Sequence, residues 1–253
     1  MVPHGNCTLL QTETFCNWMY FLNMYICKKF EGMYRYTVKG VARFLALVLS
    51  LVLNACSQNG WTERERTIIE RSDSLMFVTV LPDDSVLLRT PSIEVRKKDL
   101  QSKELKTLMA KMLSTVTDPS QDGVGIAAPQ VGINRRIIWV QRLDKEDEPF
   151  ECYVNIRIDS LFGDVKRGTE GCLSVPGYAG MVSRNTDVII SYANLESGET
   201  RKEHIAGYTA IIFQHECDHL DGILYVDRAD SVFVNKAWME ELKQFDYTRP
   251  DWW

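Results

Sequence analysis

The chain has 253 residues, 45% hydrophobic and 25% charged, with a formal net charge of -5. That composition suits one globular body with appendages and leaves ample apolar material for a core. The acidic balance and the absence of a basic run exclude a nucleic-acid surface, whose affinity comes from clustered Lys and Arg neutralising phosphates.

The leader reads differently from the rest. Residues 15–30, FCNWMYFLNMYICKKF, are aromatic-rich without clean periodicity. They suit sequence translated upstream of the true start, with Met33 as initiator, better than a membrane-seeking segment. From Met33 onward Arg35, Lys39 and Arg43 precede an uncharged apolar run, Phe44 to Leu53, and then Ala55 and Cys56. This is the order of an export signal, and the run is short for a transmembrane span. Its ending, Leu53-Asn54-Ala55-Cys56, resembles a bacterial lipoprotein processing box with Cys56 as the acylated residue, although asparagine is unusual at the second place. The expected organisation is an upstream segment over 1–32, a signal over 33–56 and a linker over 57–77. The protein is then exported and anchored to a membrane at Cys56; if the leader does not act, it is cytoplasmic. An ordinary signal or a buried apolar helix are the other readings. Cys7, Cys16 and Cys27 fall upstream, which leaves Cys152, Cys172 and Cys217 in the body, an odd number and no disulfide framework.

Globular sequence begins near Val78. Over 103–116, KELKTLMAKMLSTV, the residues Leu105, Leu108, Met109, Met112, Leu113 and Val116 recur at three- and four-residue steps, which predicts a helix with one apolar face. GVGIAA, residues 123–128, formally satisfies the dinucleotide fingerprint. A polar loop precedes it, however, and Pro129 follows, so the required strand and helix do not frame it. Gly123 and Gly125 are better read as places of close backbone approach to a bound ligand. Strands are expected at 136–141, 152–158 and 187–195, with a turn at 196–199 leading to a hairpin partner. A terminal helix is expected over 231–245, within a C-terminal helix and tail spanning 231–253. Short grouped elements of this kind indicate an α+β fold with mostly antiparallel sheet around one central helix.

FQHECDHLDG, residues 213–222, carries the chemistry. Histidines at i and i+4 share a helix face one turn apart, so His215 and His219 can hold one ion, and Glu216 on the adjacent stripe can act on a water beside it. The third ligand is open on residues alone. Of the other histidines, His4 lies in the leader and His204 in the hairpin, where a surface or inter-strand role suits it. A metzincin would need a further histidine after His219, and none follows. Glu240 or Glu241 would make a thermolysin-like metallopeptidase. Cys172, in TEGCLSVPGYAG, would instead give a thiolate and two imidazoles with a fourth tetrahedral position open. Cys217 lies between the histidines and points to another face.

GVGIAAPQ, EGCLS and QHECDHLDG in this order resemble peptide deformylase over about residues 80–230, placing a catalytic body at 78–230. The resemblance implies Cys172, His215 and His219 as metal ligands. The ion it implies is ferrous iron, with zinc, nickel or cobalt able to replace it. It implies Glu216 as acid and base in removing formate from N-formyl-methionyl peptides, with Gln130 and the Leu173 N–H at the oxyanion. It also implies contact between Gly125 and the peptide, and Glu170 as an orienting carboxylate. Val124, Tyr208 and Ile211 are the expected walls of the methionine pocket, and a monomer is expected. The sequence departs from the family where many members carry a substrate-binding arginine: Ala179 stands near that place and the nearest arginine is Arg184. Asn155-Ile156 replaces a frequent Asn-Pro. A non-catalytic formyl-peptide-binding lipoprotein is the remaining alternative.

Overall fold

The computed structural model describes residues 60–121 and 123–235. The described residues fall within one compact unit. The segment expected to be an export signal, with Cys56, and the candidates Glu240 and Glu241 lie outside the described residues. No described helix is long and apolar enough to cross a membrane.

Helix α1, Glu63–Ile69, starts at a reciprocal cap in which Thr62 accepts from the Glu65 N–H and Glu65 accepts from the Thr62 N–H, satisfying two otherwise orphaned donors. A short helix α2, Ser85–Leu88, follows. Helix α3, Lys103–Val116, has the predicted bounds, with Ser102 capping it from the Leu105 N–H at 3.1 Å. Leu105, Leu108, Met112 and Val116 on its predicted face are buried against Ile126, Ile133, Ile137 and Val154. Each such side chain contributes about 1.5–3 kcal/mol.

The sheet comprises β1 Gly125–Ala127, β2 Ile137–Gln141, β3 Phe150–Gly171, β4 Tyr178–Ala193, β5 Thr200–Ala206 and β6 Ser231–Val234. Strands β1 to β5 lie in sequence order and β6 pairs with β4; every pairing is antiparallel. Three expectations need correction. The stretch expected as a linker over 57–77 carries helix α1, with Trp61, Ile68 and Ile69 buried in the core. The strands expected at 152–158 and 187–195 are parts of a long β3–β4 ribbon continuing through 163–186, bent at register shifts between Val154 and Arg157, Ile158 and Ser160, and Phe162 and Val165. Residues 231–234 are strand, not helix: Val232, Phe233 and Val234 pair with Gly180, Ala179 and Tyr178, as suits a β-branched and aromatic run beside an open strand. The remainder of the expected terminal helix lies outside the described residues.

Helix α4, Gly207–Leu220, packs on the sheet through Ala210, Phe213, Cys217 and Leu220, which meet Ile138, Val188, Ile190 and Ile205 in a second core cluster. A last short helix, α5, spans Tyr225–Arg228.

One buried ion pair ties α1 to the body: Arg135, 2% exposed, donates Nε and Nη2 to the Glu65 carboxylate at 2.6 and 2.7 Å. Glu65→Ala removes that carboxylate from a buried cation, so urea unfolding is expected to show a loss of about 3 kcal/mol. A loss under about 1 kcal/mol, the range of a surface pair, would contradict it. Burial pushes the Glu65 carboxyl up, but the hydrogen bonds from Arg135 and Thr62 outweigh this and leave it below its ordinary value. The contribution is therefore present above the unfolded value of 4.5 and disappears as pH falls through the lower folded one.

Candidate metal centre and its cleft

Cys172 lies in the turn that joins β3 to β4, closed by the Val175 N–H donating to the Cys172 carbonyl at 2.9 Å. His215 and His219 stand one turn apart on α4, with ring centroids 5.1 Å apart. The Cys172 Sγ lies 3.1 Å from Nε2 of His219, and one donor atom from each of the three residues falls within 4.8 Å of the others. Glu170, at the end of β3, holds Nδ1 of His215 at 2.9 Å, which leaves Nε2 as that ring's ligating nitrogen. Burial pushes the Cys172 thiol up, but the charge of His219 and hydrogen bonds from both histidines outweigh it, holding it at about 5. A thiolate with two imidazoles is a donor set for zinc or ferrous iron, so the residues present fit a divalent cation.

Glu216 points to the same place. Its Oε2 is buried with no hydrogen-bond partner among the described residues. Burial is the main cause that raises its carboxyl to about 7, in the range an acid–base group needs near neutral pH. Gly125 was expected to leave room for a ligand, and its nearest neighbour is instead this carboxylate: a Cβ there would sit 2.6 Å from Oε1. Gln130 follows β1 in a 3₁₀ turn; its Oε1 accepts from the Ala127 N–H at 2.8 Å and its Nε2 points at Cys172 Sγ at 3.5 Å.

These groups open onto a cleft of about 440 Å³ lined by Gly123, Val124, Gly125, Gln130, Glu170, Cys172, Leu173, Tyr208, Ile211, His215 and Glu216. His219 is fully buried behind them. Val124 and Tyr208 are 37% and 60% exposed, so they form an open rim more than a closed wall. Ile212, Gln121, Thr169, Gly171 and Asn235 also line the cleft and were not anticipated. Ile212 stands one turn before His215, so helical spacing offered a signal for it; Asn235, just beyond β6, had none.

Arg184 does not reach the cleft. It is buried, donating Nε and Nη2 to Glu170 at 2.8 and 2.9 Å and Nη1 to Asp218. Ala179 is buried opposite Phe233 of β6. Asn155 takes a left-handed φ of 57° at the first register shift and uses its side chain to bond both backbone groups of Val95. His204 has the expected inter-strand role, 2.8 Å from Asp187 and stacked on Phe162. Cys217 is buried in the core with its thiol pushed up by desolvation.

The family model described as polypeptide deformylase matches residues 77–234. A peptide deformylase of Desulforudis audaxviator is 40% identical over 150 residues, covering 59% of this chain and 92% of that one. Class I type b peptide deformylase of Acinetobacter baumannii, solved with Met-Ala-Ser bound, is 36% identical with a TM-score of 0.54 over 61% of this chain and 98% of that one. The peptide deformylase of Thermotoga maritima is 32% identical with a TM-score of 0.54, over 62% and 99%. The chain therefore belongs to the polypeptide deformylase family, metal-dependent hydrolases that remove the formyl group from peptide N termini.

Proposed function

We propose that Cys172, His215 and His219 hold one divalent ion, ferrous iron in the native protein, and that Glu216 is the acid and base that deformylates N-formyl-methionyl peptides. The observation that carries this reading is the meeting of three donor atoms within 4.8 Å of one another beside a carboxylate with one buried oxygen unpartnered among the described residues, at one cleft. An ion held there supplies Lewis-acid chemistry and makes water a nucleophile at neutral pH. Zinc, nickel or cobalt can take the same donors.

Glu216 accepts a proton from the water that attacks the formyl carbon and delivers it to the departing amine, so one carboxylate serves both halves of the reaction. Gln130 Nε2 and the Leu173 N–H steady the oxygen on which charge develops. The backbone of Gly123 and Gly125 aligns the peptide, and Val124, Tyr208 and Ile211 receive the methionine side chain. The Met-Ala-Ser peptide bound by the Acinetobacter enzyme supports a peptide of that kind as substrate. The working unit is a monomer.

The test of the ligand set is metal content. Cys172→Ala, purified anaerobically and desalted, is expected to retain below about a tenth of an ion per chain, because removing a thiolate leaves only two protein ligands. Retention equal to wild type would remove Cys172 from the site.

The same proposal extends to place. The leader supports a lipoprotein acylated at Cys56, exported and anchored, which acts on exported formyl-peptides or related N-acyl peptides. Labelling of cells with a lipid precursor should mark the membrane fraction in wild type and not in Cys56→Ser. Unlabelled, purely cytosolic wild-type protein would overturn this part alone.

A further inference from the structure

Behind His215 the carboxylate of Glu170 does not end the chain of contacts. Arg184 grips Glu170 with its fork, Nε and Nη2, and sends its remaining Nη1 to Asp218 on α4. Asp218 is in turn held by a second fork, from Nε and Nη2 of Arg228 on α5, the latter at 2.6 Å. Charges therefore alternate inward from the surface through Arg228, Asp218, Arg184 and Glu170, and the last carboxylate meets the His215 ring. The outer end is 44% exposed at its side chain, whereas those of Arg184 and Asp218 are 4% and 10% exposed.

Asp218 and Glu170 both face the one buried guanidinium of Arg184. Without a second cation, Asp218 would depend on Arg184 alone and compete with Glu170 for it. The Arg228 fork meets both Asp218 oxygens, so the Nε–Nη2 edge of Arg184 stays on Glu170. Glu170 then presents a fixed Oε2 to Nδ1 of His215. Bidentate guanidinium–carboxylate pairs impose geometry as well as charge, and the partner of a ligating histidine sets its tautomer and angle.

We propose that Arg228 is a positioning residue for the metal centre, acting through Asp218, Arg184 and Glu170 on His215. The inference rests on the reading of His215 as a metal ligand.

The test uses Zn²⁺ alone, competed by a chelator against the full chain, with urea unfolding of each metal-free variant alongside. Arg228→Gln is expected to weaken Zn²⁺ binding about tenfold, within the range seen when partners of metal-ligating residues are removed. Arg228→Lys, which keeps the charge and is expected to unfold in urea as wild type does, should remain weakened because it lacks the fork. Glu170→Gln should weaken binding at least as much, and adding Arg228→Gln to it should cost little more, since the route to His215 is already cut. Unchanged Zn²⁺ affinity in Arg228→Gln, or full additivity with Glu170→Gln, would overturn the proposal and leave a surface ion pair that moves only the unfolding curve. His215→Ala separates the two levels: if that variant binds Zn²⁺ as wild type does, the ligand assignment itself fails.

Discussion

Glu216→Ala is expected to keep its metal at the wild-type level and to lose about 1,000- to 10,000-fold in kcat, the upper part of the range for a positioned acid–base group. Glu216 lies outside the set of three donor atoms that meet around one point, so its removal leaves the ligands intact. Its carboxylate is buried, one oxygen has no partner among the described residues, and burial raises it to about 7. A structural carboxylate would have its oxygens satisfied. Since the same group acts in both proton transfers, KM should move far less than kcat. Metal analysis and kcat on the same preparation check this, with Glu216→Gln as the variant that keeps shape and removes the base. Loss of the metal, or turnover within tenfold of wild type, would contradict the role.

Gly125→Ala is expected to cost about 100-fold in kcat, although it adds one methyl group and touches no ligand. The added Cβ would lie 2.6 Å from Oε1, 2.9 Å from Cδ and 3.0 Å from Cγ of Glu216. Glu216 is buried and has little room to retreat, so the carboxylate shifts, and misplacement of a reacting group by about 1 Å can cost that factor. In the double variant Gly125→Ala/Glu216→Ala the penalty should vanish, because the displaced group is gone. A Gly125→Ala enzyme with wild-type kcat and a raised KM would contradict this, showing that the added methyl group meets the peptide and leaves Glu216 in place.

How much of this was readable before folding depends on the kind of signal each element leaves. Helix α3 announces itself through a clean apolar stripe. Helix α4 does not: Thr209, Gln214, Glu216, Asp218 and His219 are buried along with its apolar residues, so only the histidine spacing revealed it. The β3–β4 ribbon was cut short because residues 159–169 are exposed on both faces, and alternation cannot mark a strand that buries neither side. Strand β6 was hidden because its partner, Tyr178–Met181, lies some fifty residues earlier, beyond any local pattern. At the site, His215, Glu216 and His219 were legible from their spacing, whereas Cys172 as the third ligand was implied only by the resemblance of three ordered motifs to a family. The grip of Arg184 on Glu170 was not, since it arises from β3–β4 register, which sets Glu170 opposite Gly180 and Arg184 opposite Lys166. Gly125 was marked as a place of close approach; only the fold identified Glu216 as what approaches.

The most direct measurement is formate released from formyl-Met-Ala-Ser by the full chain loaded with ferrous iron under anaerobic conditions, with mass analysis of the peptide. One formate is expected for each intact Met-Ala-Ser produced, with no turnover above background when Glu216→Ala carries the same iron. Cleavage at an internal amide, or an iron-replete protein that releases no formate, would contradict this.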